Sequence, residues 1–197
     1  MAIDFDGLNS KLEHLTAAGF DVDTMTILAW INADGVGENS AGVVLTLPES
    51  EGNTILQHDL ANVMAFAKDF TVASGFWTFP ITDGQWNAVS LTYNRTSVLN
   101  DPIVRVNFAA VTVTEQTTPD GTQISPATGY AIGNKTAQTQ TWDGGLMHVQ
   151  FFNRILTAAE QDAALRYPGS VTNGMVLWLK MPDASDLKDY SGNGWDG

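Results

Sequence analysis

Short apolar segments bounded by Gly, Pro, Asn and Asp recur along the chain, and this pattern predicts β-strands. The clearest is segment 25–31, MTILAWI, whose nearly continuous apolar run is typical of a buried strand. The other predicted strands are 3–6, 41–47, 54–57, 63–67, 70–73, 85–93, 103–107, 111–114, 130–133, 146–153 and 175–180. Segment 115–128 is rich in Thr, Pro, Gly and Gln and predicts a loop. Many short strands at close spacing indicate an all-β fold, an antiparallel β-sandwich or jelly roll.

One short helix is predicted near the end of this pattern. Thr157 and Glu160 have the spacing of a capping box, in which the threonine hydroxyl accepts from a helix amide and the glutamate reaches back to the cap. The helix is expected over residues 158–166, and a Pro-Gly pair shortly after residue 166 ends it. The strand before it, 146–153, is expected to alternate strictly, with Met147 and the other odd-numbered residues on one face.

Several strings in the chain resemble the laminin G-like, concanavalin A-like lectin family. The strongest lie in the region just described: IGN at 132–134, WDG at 142–144, HVQFFNR at 148–154 and LTAAE at 156–160. Weaker matches are IDFDGL at 3–8, MTILAWI at 25–31, QWNAVSLTY at 85–93 and IVRVN at 103–107. The resemblance covers most of the chain. It implies that residues 1–197 form a single concanavalin A-like β-sandwich domain.

The C-terminal string is out of the family's order. Segment 175–180 predicts a strand, and DYSGNGWDG at 189–197 resembles a family string that comes before the FDG string. Here it comes last, so the chain resembles a circular permutation of the common arrangement. Segment 171–197 is expected to complete the sandwich of its own chain, which is the simpler arrangement, or that of a neighbour by domain swapping.

Charge and composition narrow the classes of partner. The chain of 197 residues has 22 acidic and 9 basic residues, a net charge of −13, and no cysteine. An excess of negative charge argues against nucleic acid and anionic membranes, and suits cations or simply solubility. No disulfide or thiolate metal site is possible. No apolar run approaches a membrane span, and the N-terminal residues do not resemble a signal peptide, so synthesis in the cytosol is expected unless a leader was removed.

Catalytic motifs do not emerge. The only E-x-D string is Glu160-Gln161-Asp162, which falls in the predicted helix and lacks the second glutamate of a glycanase strand. There is no G-x-S-x-G string, and the three histidines are scattered through the chain. We therefore expect a protein that is not an enzyme.

A calcium ion is implied by the family resemblance, since many laminin G-like domains hold one at the rim of the sandwich. Asp143 in the WDGG loop and Asp189 and Asn193 in the DYSGNG loop are the candidate ligands. Calcium takes six to eight oxygens, which such loops can supply. The alternative is that these residues only form Asx turns.

The six tryptophans divide by position. Those inside predicted strands match family core positions and are expected to pack: Trp30, Trp86 and Trp178. Those next to turns are candidate ligand-binding residues that would stack on a sugar ring, or alternatively would plug the ends of the sandwich: Trp77, Trp142 and Trp195.

Two functions fit these observations. The preferred one is a structural or assembly module, such as a phage decoration or fibre-associated protein, with protein partners in a homo-oligomer or on a capsid and a location on the virion or another extracellular surface. The other is a calcium-assisted glycan-binding or adhesion module. An exposed apolar patch would favour the first, and a polar groove lined by Trp142 or Trp77 would favour the second.

Overall fold

Two seven-stranded antiparallel sheets enclose one large apolar core. The computed structural model describes residues 2–16, 18–48, 53–124 and 129–196. The predicted all-β sandwich with one helix is confirmed. No helix in this part of the chain has the length and apolar character that a membrane-spanning helix needs.

The first sheet consists of six strands in a row and a seventh strand outside that row. Its strands in spatial order are β1 (Ile3–Asp6), β13 (Asp143–Phe152), β3 (Thr24–Ala33), β8 (Asn87–Asn94), β9 (Ile103–Val106) and β10 (Ala109–Ala110). A further strand, β14 (Met175–Leu179), pairs with β13. Because β3 occupies one edge of β13, strands β1 and β14 share the other edge and lie end to end.

The second sheet contains the remaining strands. Their spatial order is β11 (Thr114–Thr117), β7 (Gly75–Pro80), β6 (Val63–Lys68), β5 (Asn53–Leu60), β4 (Val43–Pro48), β12 (Tyr130–Ile132) and β2 (Leu12–His14). The inner faces of both sheets supply the core, since alternate residues of each strand point inward. Ile27, Leu91 and Phe151 of the first sheet and Leu56 and Phe66 of the second are all at most 1% exposed.

Helix α1 (Ala158–Arg166) covers part of the outer face of the first sheet. The predicted capping box is confirmed: the Glu160 amide donates to Thr157 Oγ1 at 3.3 Å, and the Thr157 amide donates to Glu160 Oε2 at 2.8 Å. Ala164 and Leu165 pack with outward-facing residues of the sheet in a second, smaller apolar cluster. The helix therefore leaves only the remaining outer face of this sheet open to a ligand.

Some strand predictions were wrong. Segment 70–73 makes only isolated bridges, from Phe70 to Gln123 and from Ala73 to Asp120. Strands β2 and β7 were not predicted, and β11 begins where segment 111–114 was expected to end. Strand β11 also occupies part of the predicted loop, of which residues 125–128 lie outside the described residues.

Strict alternation along β13 was also wrong. The residue that faces the core ahead of Val149 is Leu146, not Met147, which is only half-buried. The pairing with β3 shifts between Met147 and Gln150, and His148 has a φ of 52°. A bulge here adds one residue and reverses the faces of the residues that precede it.

The C-terminal segment pairs within its own chain in this structure. Val149 of β13 lies opposite Leu179 of β14, and the Ile3 amide donates to the Met181 carbonyl at 3.1 Å. The end of β14 is thereby brought beside the start of β1. The usual order of the family joins these two segments directly along the chain. A circularly permuted chain must therefore place them side by side.

Candidate functional site

Trp77 is a core residue. Its side chain is fully buried, it lies near Phe66 and Tyr93, and its Nε1 donates to Asp101 Oδ1 at 2.8 Å. The indole occupies the space above Gly75, where a Cβ would come within 2.1 Å of it. The prediction that this ring is available for stacking on a sugar is therefore wrong.

Trp142 is also fully buried, so its ring is not available for stacking on a sugar either. It fills the end of the sandwich beside His58, whose ring lies edge-on at 5.9 Å. Trp195 is half-buried and lies edge-on to His14. Trp142 and Trp195 therefore fill the ends of the sandwich, which was the alternative to sugar binding. In its described part the structure contains no groove lined by Trp142 or Trp77.

Asp189 and Asn193 organise the C-terminal loop. The Asp189 carboxylate is 3% exposed and accepts from the amides of Trp178, Ser191 and Trp195 and from the Ser191 hydroxyl, at 2.7–3.1 Å. The Asn193 amide donates to the Val176 carbonyl at 2.8 Å. A carboxylate that already accepts four hydrogen bonds has little capacity left for a metal ion.

Asp143 is remote from those two residues. It lies opposite Asp6, whereas Asp189 bridges Leu179, which pairs with Val149. Six residues of strand separate these two points on β13, about 20 Å. The predicted ligand set Asp143, Asp189 and Asn193 therefore does not form one calcium site. Within the described part of the chain no group of three or more acidic or histidine side chains is arranged to hold a metal ion.

The tryptophan with the greatest exposure is Trp86, which the sequence pattern assigned to the core. It is 38% exposed, and it lies one residue before β8 on the outer face of the first sheet. Its ring lies over Gly145, where a Cβ would be 2.9 Å from the ring tip. Trp30 and Trp178, the other predicted core tryptophans, are half-buried.

Polar residues surround the Trp86 ring. Gly145 lies beneath it and pairs with Asp4 of β1 on one side and Asn32 of β3 on the other. Asp143 lies two residues from Gly145 and therefore on the same face. We call the surface formed by Trp86, Asn32, Gly145, Asp4 and Asp143 the Trp86 face.

The Trp86 face is strongly negative. Asp143 is flanked by Asp4, Asp6 and Asp34, and its partial burial, together with these like charges, raises the pKa of its carboxyl. The other three aspartates are exposed. None of the four forms a salt bridge with a residue in the described ranges. We call these four residues the acidic corner.

Buried hydrogen bonds hold the loops of this surface in place. His58 is fully buried, with Nδ1 3.1 Å from the Gly35 carbonyl and Nε2 2.9 Å from Asp83 Oδ1. It thus connects the loop after Asp34 with the loop that leads to Trp86. The Asn87 side chain adds bonds of 2.8 Å to the carbonyls of Thr82 and Gln85. These hydrogen bonds hold the loop that carries Trp86.

A concavity of about 350 Å³ lies at the opposite end of β8 from Trp86. Its lining is Phe70, Arg95, Thr96, Ser97, Val98, Gly121, Thr122 and Gln123. Its larger polar side chains are already engaged by neighbours: Arg95 pairs with Asp21, and Gln123 donates to Asp23 at 3.2 Å. Phe70 is 5% exposed and offers no ring face. This cleft is a weaker ligand site than the Trp86 face.

The E-x-D string is structural. Glu160 caps helix α1 and pairs with Arg154, while Asp162 pairs with Arg105 at 2.7 Å. Hydrogen bonds from Arg154 and Thr157 lower the pKa of Glu160 to about 2, so this carboxyl is a poor proton donor.

Comparison with protein families identifies the class. Residues 6–160 match the family model of the concanavalin A-like lectin/glucanases superfamily. The chain belongs to this superfamily, as the laminin G-like strings predicted. A search of curated proteins found no match.

Solved structures agree on the fold. A heptameric SAP-like pentraxin from Limulus polyphemus is 16% identical with a TM-score of 0.65, over 98% of this chain and 91% of the pentraxin. A candidate carbohydrate-binding protein from Bacteroides ovatus is 17% identical with a TM-score of 0.64, over 98% of this chain and 57% of that one. Domains LG4-5 of the mouse laminin α1 chain are 12% identical with a TM-score of 0.56, over 75% of this chain and 40% of that one. Identities this low establish the fold alone.

Proposed function

We propose that this chain is a non-catalytic carbohydrate-binding domain and that the sugar binds on the Trp86 face. The observation that carries the proposal is the exposure of Trp86, 38%, while Trp77 and Trp142 are fully buried. An indole held over Gly145 presents a rigid apolar surface to the apolar side of a pyranose ring. Asp4 and Asp143 lie on the same face of the sheet, and their carboxylate oxygens could accept hydrogen bonds from sugar hydroxyls.

The superfamily and the Bacteroides ovatus relative support carbohydrate binding as the general function. The absence of catalysis is our inference from the engagement of Glu160 and Asp162 in helix-capping and ion-pair contacts. An oligosaccharide that binds should therefore be recovered intact after prolonged incubation.

Calcium assistance remains a prediction. An ion would have to be held by Asp143 and its acidic neighbours, because Asp189 and Asn193 are engaged elsewhere. Comparing melting curves with calcium and with EDTA would test it, since a ligand of the folded state raises the melting temperature. Identical curves would remove the metal from the account.

The direct test of the proposed function is a glycan-array screen of the wild-type chain and Trp86→Ala. We expect competable binding that the substitution reduces by at least about tenfold. Tyr167→Ala is the matched control, because it removes an aromatic ring that is 70% exposed at the end of helix α1. A blank array, or equal binding by Trp86→Ala, would contradict the proposal.

Assembly is a second candidate function, and an exposed apolar patch favours it. Leu99, Ile103 and Ile155 are 87%, 66% and 41% exposed and line one groove of about 310 Å³. Scattered apolar residues are ordinary on a surface, but a shared groove is typical of a protein contact. The partners would be copies of this chain or a particle surface such as a phage capsid, at an extracellular location.

This second function predicts a change in oligomeric state. Light scattering of the wild-type chain should show an oligomer that Ile103→Asp converts to monomer without lowering the melting temperature. A wild-type monomer at all accessible concentrations would argue against self-assembly. Purified particles that lack the protein would argue against the virion.

A further inference from the structure

We infer that the ligand of the Trp86 face carries a protonated amine, as in a glycan built of 2-amino sugars. This inference rests on the proposed function and specifies its ligand class. It depends on one juxtaposition: the exposed Trp86 indole lies over Gly145, and the acidic corner lies on the same face of the first sheet without a salt bridge to any described residue.

The register of the first sheet brings the two together. The tip of the Trp86 ring lies over Gly145, and Asp4 is the direct cross-strand neighbour of Gly145. Side chains of cross-strand neighbours leave the sheet about 5 Å apart, so the Asp4 side chain begins next to the position that the ring tip covers. A pyranose stacked on this ring would direct an equatorial substituent at the carboxylate.

The negative charge of the acidic corner favours a positively charged substituent on the sugar ring. In the acidic corner Asp6 lies opposite Asp143 and Asp4 lies opposite Gly145, and none of the four aspartates forms a salt bridge with any residue the structure describes. The whole chain has a net charge of −13. Carboxylated and sulfated glycans would be repelled, whereas an ammonium group would neutralise charge that a neutral sugar leaves uncompensated.

The aromatic ring favours the same group. A cation near the face of an indole is attracted by the ring quadrupole, and tryptophan is the strongest such partner among side chains. Lys180 provides an example inside this molecule, with its Nζ 3.5 Å from the centre of the Tyr190 ring. On the Trp86 face the ring has no such partner among the described residues, since no cation contact to Trp86 is formed.

A bare metal ion fits this surface less well. Calcium requires a closed shell of six to eight oxygens, and the described residues form no group of three or more that could hold an ion. An ammonium group needs only two or three acceptors on one side, because it donates from a single tetrahedral nitrogen. An exposed, one-sided set of carboxylates suits the ammonium group.

The test is isothermal titration with two oligomers of equal length, a glucosamine hexamer and an N-acetylglucosamine hexamer, in EDTA at low salt and at about pH 6, where the amine is charged. We expect the glucosamine hexamer to bind at least about tenfold more tightly and to weaken as salt is raised. Trp86→Leu should reduce binding of both hexamers. Asp4→Asn and Asp34→Asn should reduce binding of the glucosamine hexamer more than binding of the N-acetylglucosamine hexamer.

Controls separate this inference from its alternatives. Glu115→Gln removes an exposed charge from β11 of the other sheet and should leave both affinities unchanged. A lysine hexamer should bind weakly; equally tight binding that ignores Trp86→Leu would reduce the effect to nonspecific attraction and overturn the inference. Equal affinity for the two hexamers would also overturn it, while leaving the proposed carbohydrate binding intact. If neither hexamer binds but the array shows a neutral or acidic glycan, the inference fails and the proposed function stands.

Discussion

Whether a tryptophan is buried or exposed depends mainly on which face of its strand it occupies. Its distance from a turn matters less. Val89, Leu91 and Tyr93 are core residues of β8, so even-numbered Trp86 must lie on the other face. The same parity places Trp178 outside, between Leu177 and Leu179 of the core. This signal was available in the sequence and would have identified Trp86. What the sequence alone could not give is the approach of its ring to Gly145, which depends on the pairing of three strands.

Asp189 is the residue whose substitution should be most damaging outside the core. We expect Asp189→Ala to lower the free energy of unfolding by about 3 kcal/mol, because it leaves the partly buried amides of Trp178, Ser191 and Trp195 without this acceptor. Urea denaturation measures the change. Asp183→Ala, at an exposed position of the same segment, should change it by less than about 1 kcal/mol. Equal losses of unfolding free energy in the two variants would contradict a stabilising role for the hydrogen bonds to Asp189.

Helix α1 illustrates an element that the sequence predicted in full. The capping box requires only local residues, so Thr157 and Glu160 were sufficient to place its start. Strand β13 shows the opposite. Its bulge at His148 arises from pairing with two neighbours, and nothing in the alternating pattern of segment 146–153 reveals it.

The cap of helix α1 should give a pH-dependent contribution to stability. Hydrogen bonds from Arg154 and Thr157 lower the folded-state pKa of Glu160 to about 2 from its ordinary 4.5. A depressed carboxyl stabilises the fold above its unfolded-state pKa, and this contribution is lost as the pH falls from about 4.5 to about 2. The melting temperature of Glu160→Gln should therefore be lower than that of the wild type at neutral pH, and the two should converge towards pH 2. A difference that stays constant over this range would refute the assignment.

The C-terminal strand gives a prediction about folding. Removal of residues 174–197 deletes β14 and with it Leu177, Leu179 and Met181, all fully buried in the core. Because β14 pairs with β13 of the same chain, we expect the shortened chain to be insoluble or unfolded by circular dichroism. A soluble, folded but unassembled sandwich would instead indicate that this strand serves a neighbouring chain.

At the scale of the whole molecule, the residues that stabilise the sandwich and the residues of the proposed binding surface lie in different places. The core lies between the sheets, helix α1 covers one part of the outer face of the first sheet, and the Trp86 face occupies another. The superfamily could be predicted from strings such as WDG and LTAAE, because they encode turns and caps. The composition of the proposed Trp86 face could not, since Trp86 comes from the loop before β8 and its neighbours come from β1, β3 and β13, which meet only in the folded sheet.

The measurement that tests the central claim most directly is a two-dimensional NMR titration that follows the six tryptophan indole signals as a bound glycan is added. We predict that the Trp86 indole and the Gly145 amide shift first and together, while Trp77 and Trp142 remain unchanged because they are fully buried. Shifts confined to the cleft around Arg95, or to the groove of Leu99 and Ile103, would contradict the account and move the binding site away from the Trp86 face.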